Sequence, residues 1–223
     1  MNSMDFDKAR YNMVEQQIRP WDVLDPRVLD VLRSVPREDF TPEHYRNLAY
    51  VDTRIPLNDS EGGCCMLNPN IEGRILQHLN IDKDDVVLEI GTGTGYLTAC
   101  MAKLARHVDS VEIDEDLCAQ AQRNLAKLNI DNATIIEGDA TQSLKQKQFY
   151  NAIAITGSMP AIPEDYKKML KVGGRLFVVT GQAPVMTAHL VTRTGEKEWT
   201  IKDVFETSID SLCGAEKAKT FEF

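Results

Sequence analysis

The chain has 223 residues, 43% hydrophobic and 26% charged, which suits one α/β domain with an extension and a sizeable core. The net charge of −9 counts against a nucleic-acid partner, because phosphate backbones need a dense Lys/Arg face. No apolar run approaches the ~18 residues of a membrane span, and the N-terminal MNSMDFDKARYNMVEQQ carries acids where a secretory leader needs an apolar stretch, so no membrane partner and a cytoplasmic location are expected.

Residues 5–18 read as a helix capped by Asp5, with Ala9, Met13 and Ile18 on one side. Asp25-Pro26 starts a second helix, with Pro at its first position and Val28, Leu29, Val31 and Leu32 as apolar positions; it stops at Val35-Pro36. Residues 36–69 are irregular, with prolines at 36, 42, 56 and 69 and a Gly62-Gly63 pair. So long an aperiodic segment suits the cover of a site. A helix from about Ile71 to Leu79 leads into the first core strand.

Regular alternation follows. Strand 86–90 precedes helix 95–106, strand 107–113, and helix 115–128 with Leu117, Ala121, Leu125 and Leu128 inward. Strand 133–137, strand 150–156, a short helix at 163–170 and strand 175–180 after Gly173-Gly174 complete the series. This order implies an α/β fold, a mostly parallel sheet with helices on both faces. Residues 188–206 read as two strands around a Thr194-Gly195 turn, an antiparallel hairpin at the sheet edge. Gly214–Phe223 has no clear periodicity.

The most informative stretch is Val86–Gly95, VVLEIGTGTG: a buried strand, then glycines at 91, 93 and 95, then a helix. Glycines there let backbone approach a ligand, and the helix N-terminus faces it. A dinucleotide fold wants G-x-G-x-x-G; here the third glycine comes one residue early and Tyr96 stands in the last place. Glu112 ends the next strand, about 20 residues after Gly91, where a carboxylate accepts from a ribose diol. The glycine pattern resembles motif I of class I methyltransferases that bind S-adenosylmethionine. A ligand at the carboxyl ends of these strands would meet Glu89, Gly91, Thr92, Gly93, Gly95, Glu112, Ile113, Asp139, Ala140 and Thr156. Glu89 suits the methionine ammonium or the orientation of the glycine turn. Asp139 suits the adenine amino group or the cap of a helix at 140–145. Ala140 permits a close ring contact, and Ile113 lies against adenine or in the core.

Other chemistries lack a pattern. There is no G-x-S-x-G elbow and no P-loop. Thr156-Gly157-Ser158-Met159-Pro160 has neither the paired prolines nor the aromatic of amino-methylating DNA enzymes. His44, His78, His107 and His189 sit in unrelated segments, and no Cys/His cluster has zinc spacing, so no metal is expected. The five cysteines, odd in number and scattered, read as reduced thiols.

The N-terminal third carries a second resemblance. Val35-Pro36-Arg37-Glu38-Asp39-Phe40-Thr41-Pro42 is similar to the V-P-R-E-x-F-V-P signature of protein-L-isoaspartate O-methyltransferases. Ala49-Tyr50-Val51-Asp52 resembles that family's A-Y-x-D, and LEIGTGTGYLTA, the EGD segment and LKVGGRLFVV also match, so the likeness spans about residues 13–182. It implies a Rossmann-like class I methyltransferase fold and methyl transfer from S-adenosyl-L-methionine to the carboxylate of L-isoaspartyl residues in damaged proteins, leaving S-adenosyl-L-homocysteine. It also implies one domain: residues 1–80 as a helical and loop extension over the acceptor site, 81–182 as the donor-binding core, 183–223 as edge hairpin and tail. The family segment resembling G-x-G-Q-T-I-S-x-P, which lines the acceptor site, aligns here with Glu61 to Pro69. Cys64 replaces its glutamine, Cys65 its threonine and Leu67 its serine, in the run Cys64, Cys65, Met66, Leu67, Asn68, Pro69. The Cys64–Cys65 pair reads as a redox switch or as two small loop residues. Alternative functions are methyl transfer to another, small-molecule acceptor, and donor binding without turnover.

Overall fold

The computed structural model describes residues 5–57, 64–141 and 149–215. Its centre is a seven-stranded sheet made of β3 (Val86–Ile90), β4 (His107–Glu112), β5 (Ala133–Glu137), β6 (Tyr150–Met159), β7 (Leu170–Gln182), β8 (Val185–Gly195) and β9 (Glu198–Thr207), in the spatial order β5-β4-β3-β6-β7-β8-β9. A two-stranded ribbon, β1 (Ile55–Pro56) with β2 (Cys65–Met66), stands apart from it. The strands from β5 to β7 pair in parallel, and β7–β8 and β8–β9 pair antiparallel. All five residues of β3 are buried, as a central parallel strand covered on both faces requires.

The helices are α1 (Phe6–Asn12), α2 (Pro26–Ser34), α3 (Pro69–Leu79), α4 (Tyr96–Leu104), α5 (Glu115–Lys127) and α6 (Glu164–Lys168). Alternation along β3 splits the core. Val87 joins the apolar residues of α2, α3 and α4, whereas Val86, Leu88 and Ile90 face the cluster that includes Tyr166 of α6. Asp5 and Asp25 cap α1 and α2, each accepting a backbone N–H near 3 Å. Among the described residues no helix is long and apolar enough to cross a membrane.

Several boundaries differ from the sequence reading, each for a local reason. The first helix is α-helical only to Asn12; Met13–Ile18 widens into a π turn that buries Met13, Val14 and Ile18. Strand β6 runs to Met159, not 156. Its pairing with β7 breaks after Ala154 and resumes at Ser158, so Thr156 and Gly157 form a bulge at the carboxyl end of the sheet. Strand β7 begins at Leu170, five residues early, because Leu170 pairs with Tyr150 before the ladder skips to Arg175. A helix at 140–145 and the Gly62-Gly63 pair fall largely or wholly outside the described residues.

Residues 36–57 are irregular yet tightly fastened. Arg37 is fully buried: it pairs with Glu72 of α3, donates to the Leu67 carbonyl at 2.6 Å and lies 4.8 Å from the Tyr96 ring centroid. Glu38 accepts from Arg10 at 3.0 Å and from the Tyr50 hydroxyl. Asp52 accepts from the Asn68 and Asn70 amides at 3.1 and 3.2 Å. Arg37 and Asp52 therefore hold residues 67–70 in place, while Glu38 and Tyr50 hold α1. Burial pushes the Glu72 carboxyl up to about 6 even though Arg37 draws it back. Replacing Arg37 by Ala leaves that carboxyl buried and alone; the variant is expected to lose about 3–5 kcal/mol of unfolding free energy, measured by urea denaturation.

Candidate active site

Strand β3 ends at a loop whose glycines hold conformations closed to most side chains. Gly91 has φ +90°, and a Cβ there would lie 2.3 Å from Thr156 Oγ1. Gly93, at φ +55°, would bring a Cβ to 3.0 Å from Leu57. The loop is bare because the Thr156 bulge and the Leu57 turn press against it. It floors a crevice of about 930 Å3, open to solvent, at the carboxyl ends of β3, β4 and β6. The side walls come from the end of β4, from Gly138 and Ala140, from the Thr156–Gly157 bulge, from residues 64–67 and from residues 210–213.

Two carboxylates set its electrostatics. Glu112 uses both oxygens on backbone: Oε2 accepts from Gly93 N–H at 2.8 Å, and Oε1 from Ile113 and Asp114 N–H at 2.9 and 3.2 Å. This ties the end of β4 to the glycine loop. Burial raises the Glu112 carboxyl, and those N–H groups pull it back. Glu89 has no solvent exposure. Its Oε2 accepts from Ser110 at 2.5 Å and from Thr98, while Oε1 is buried with no partner. Burial pushes Glu89 up to about 8; Ser110 and Thr98 oppose this, and the negative charges of Glu112 and Glu72 add to it. An orphaned buried oxygen on a carboxyl that lines the crevice fits a ligand ammonium.

The remaining candidates separate. Gly91, Thr92, Gly93, Ile113, Ala140 and Thr156 line the crevice with Glu89 and Glu112. Thr156 Oγ1 lies 2.8 Å from both the Ile90 and Gly91 carbonyls, fixing the turn. Thr92 is occupied by Ser110 at 2.6 Å. Ile113 is 43% exposed, so it belongs to the crevice rim and not to the core. Gly95 does not line the crevice; it packs on Ala121 of α5, where a Cβ would come within 3.2 Å. Asp139 also stands outside the wall, its Oδ1 accepting from Thr141 N–H at 2.9 Å and Thr141 Oγ1 at 2.6 Å. Of the acceptor run, Cys64, Cys65, Met66 and Leu67 line the crevice; Asn68 binds Asp52 and Pro69 opens α3. None of the four histidines is among the lining residues.

Sequence reasoning missed Ser110, although three polar residues inside the buried strand HVDSVEI were a signal that β4 carries more than packing. It also missed residues 210–213. They reach the crevice because Ser158 N–H donates to the Asp210 carbonyl at 2.8 Å and Leu212 N–H to the Ser158 carbonyl at 3.0 Å. Nothing in the residues after the edge hairpin announced that contact.

The family model for protein-L-isoaspartate(D-aspartate) O-methyltransferase matches residues 8–216. This chain belongs to that family. A protein-L-isoaspartate O-methyltransferase of Syntrophus aciditrophicus is 37% identical over 94% of this chain and 92% of its own length. One from Pelobacter propionicus is 34% identical over 92% and 90% respectively. Among solved structures, a protein-L-isoaspartate O-methyltransferase with 25% identity superposes at TM-score 0.78 over 93% of this chain and 66% of that one. A Plasmodium falciparum structure named for the same activity, in complex with S-adenosyl-L-homocysteine, superposes at TM-score 0.78 with 21% identity over 94% and 99%, which shows the shared fold.

For this methyltransferase, Gly91→Ala drives a methyl into Thr156 and holds alanine in a left-handed conformation, about 3 kcal/mol together. Calorimetric titration with S-adenosyl-L-homocysteine is expected to show affinity lowered about 100-fold. A ligand ammonium beside Glu89 favours its ionised form, so binding should expel a proton wherever Glu89 starts protonated. Affinity should rise as pH climbs toward the region of 8, where Glu89 of the free protein gives up its own proton. Titrations in two buffers of different ionisation heat should report that proton, and Glu89→Gln should abolish it.

Proposed function

We propose that this chain is an enzyme that methylates the carboxylate of L-isoaspartyl residues in damaged proteins, using S-adenosyl-L-methionine and leaving S-adenosyl-L-homocysteine. Family membership across residues 8–216 carries the reading. The donor supplies an activated methyl on a sulfonium centre. The chain's own residues do the rest. Glu89 offers its free oxygen to the amino acid end, Glu112 its remaining lone pairs to the ribose, and Ile113 and Ala140 flank the base. Gly91 and Gly93, held by Thr156 and Leu57, keep the cradle open to close backbone approach.

No residue needs to act as a base. An isoaspartyl carboxyl has an ordinary pKa of about 4 and is ionised at neutral pH. The crevice has only to hold that carboxylate within about 3–3.5 Å of the methyl, aligned with the leaving sulfur. The acceptor side is formed by Cys64 to Leu67, residues 210–213 and Arg54, the one cation among the described lining residues. Arg54 is held at 2.6 Å from Asp210 on the rim, where it suits a carboxylate-bearing peptide. Cys65 offers a weaker donor than the threonine that resemblance places there, and Leu67 offers none in place of the serine, so Arg54 and backbone N–H groups take a larger share of recognition. Transfer to another acceptor, and donor binding without turnover, are not favoured by relatives that carry the isoaspartyl name across nine-tenths of the chain.

The same proposal places one methyltransferase domain in the cytoplasm, acting on protein and not on nucleic acid. It is supported by the cysteine spacing and the net charge of −9. Tritiated methyl transfer to an isoaspartyl peptide should exceed that to its normal aspartyl counterpart by at least about 10-fold. Equal or absent transfer by protein saturated with donor would overturn the reading. Cys65→Thr with Leu67→Ser should raise kcat/KM for the isoaspartyl peptide.

A further inference from the structure

The acceptor segment and the C-terminal segment meet through two sulfurs. Cys64 Sγ lies 3.3 Å from Cys213 Sγ, and both side chains line the crevice, Cys213 on its exposed side. The approach is not that of a loose tail. Residues 209–215 are anchored by the Ser158–Ser211 bridge, by the Leu212 backbone against Gly157, where a Cβ would lie 2.7 Å from Leu212 Cα, and by the Arg54–Asp210 ion pair. On the other side, the Cys64 carbonyl accepts from Leu57 N–H at 2.8 Å, extending the β1–β2 ribbon by one residue. In extended backbone neighbouring side chains point to opposite faces. Cys65 accordingly turns to Asp210 while Cys64 meets Cys213. The adjacent cysteines thus meet different partners.

We propose that Cys64 and Cys213 form a reversible disulfide that ties the acceptor segment to the C-terminal segment across the crevice. The sulfurs are in van der Waals contact, and forming the bond requires them to close from 3.3 Å to about 2.05 Å. The oxidant is a hydroperoxide. Cys213, the exposed thiol, attacks the terminal peroxide oxygen; the O–O bond breaks, a sulfenic acid forms and water or an alcohol leaves. The Cys64 sulfur then attacks the Cys213 sulfur; the S–S bond forms, the S–O bond breaks, and water leaves with the Cys64 proton. The two sulfurs together lose two electrons and the peroxide gains them. Cys213 is the more exposed of the two thiols and so the one a peroxide reaches first, while burial raises the Cys64 thiol. The link fixes the distance between two walls through which ligands pass.

The test uses the full chain, treated with hydrogen peroxide and then with dithiothreitol. Mass spectrometry of unreduced peptides should find Cys64 joined to Cys213, and dithiothreitol should reverse the link. Amide hydrogen exchange in residues 64–67 and 209–215 should slow at least about 10-fold in the oxidised protein relative to its own reduced form. Cys65→Ser should keep both signatures, and Cys213→Ser should lose both. A Cys64–Cys65 link, sulfinic acid at Cys213 with Cys64 still a thiol, or a Cys64–Cys213 link without slowed exchange would each overturn the proposal. Neither readout involves methyl transfer or nucleoside binding, so failure of the isoaspartyl reading leaves this result intact.

Discussion

A full positive charge with no solvent contact organises this protein. Arg37 can sit there only because Glu72 pairs with it, the Leu67 carbonyl accepts from it and the Tyr96 ring lies beneath it. Those partners belong to three different parts of the chain: the start of α3, the acceptor segment and the first turn of α4. One guanidinium therefore sets the position of the segment around Leu67 relative to the helix that follows the glycine loop. Glu38, Tyr50 and Asp52 extend the same fastening outward to α1 and to Asn68 and Asn70.

The crevice beyond this anchor gathers buried carboxyls. Glu72, Glu89 and Glu112 are all buried around it, and Arg37 compensates only the first. Glu89 is raised in part by the other two. Such a site lowers its own electrostatic energy by taking up positive charge. A nucleoside with a sulfonium and an ammonium supplies that charge, whereas a dinucleotide would add phosphates to an already negative crevice. The charge balance thus supports the distinction that the position of the third glycine drew in the sequence.

The wall facing the acceptor is assembled late in the chain. Residues 209–215 return past the edge strands to pack on the Thr156–Gly157 bulge, so residues distant in sequence close the site from opposite sides. This explains why Cys213 and Asp210 share a crevice with Cys64, Cys65 and Arg54. The bulge serves two purposes: it aims Thr156 at the glycine loop and opens room at Gly157 for the Leu212 backbone.

The sequence by itself determined the alternation of strands and helices, the glycine cradle, and the carboxylates at 89 and 112. These are local properties: periodicity, propensity and spacing along one strand-turn-helix unit or its neighbour. Caps at Asp5 and Asp25 were legible for the same reason. Only the tertiary structure placed Ile113 on the crevice rim, Cys64 beside Cys213, Gly95 against Ala121 and Asp139 outside the crevice wall. It also decided what the V-P-R-E and A-Y-V-D residues are for, and that the tail completes the site. Most of these depend on contacts between residues tens to more than a hundred positions apart, whose partners no local pattern encodes; a side chain's role follows from what burial leaves beside it.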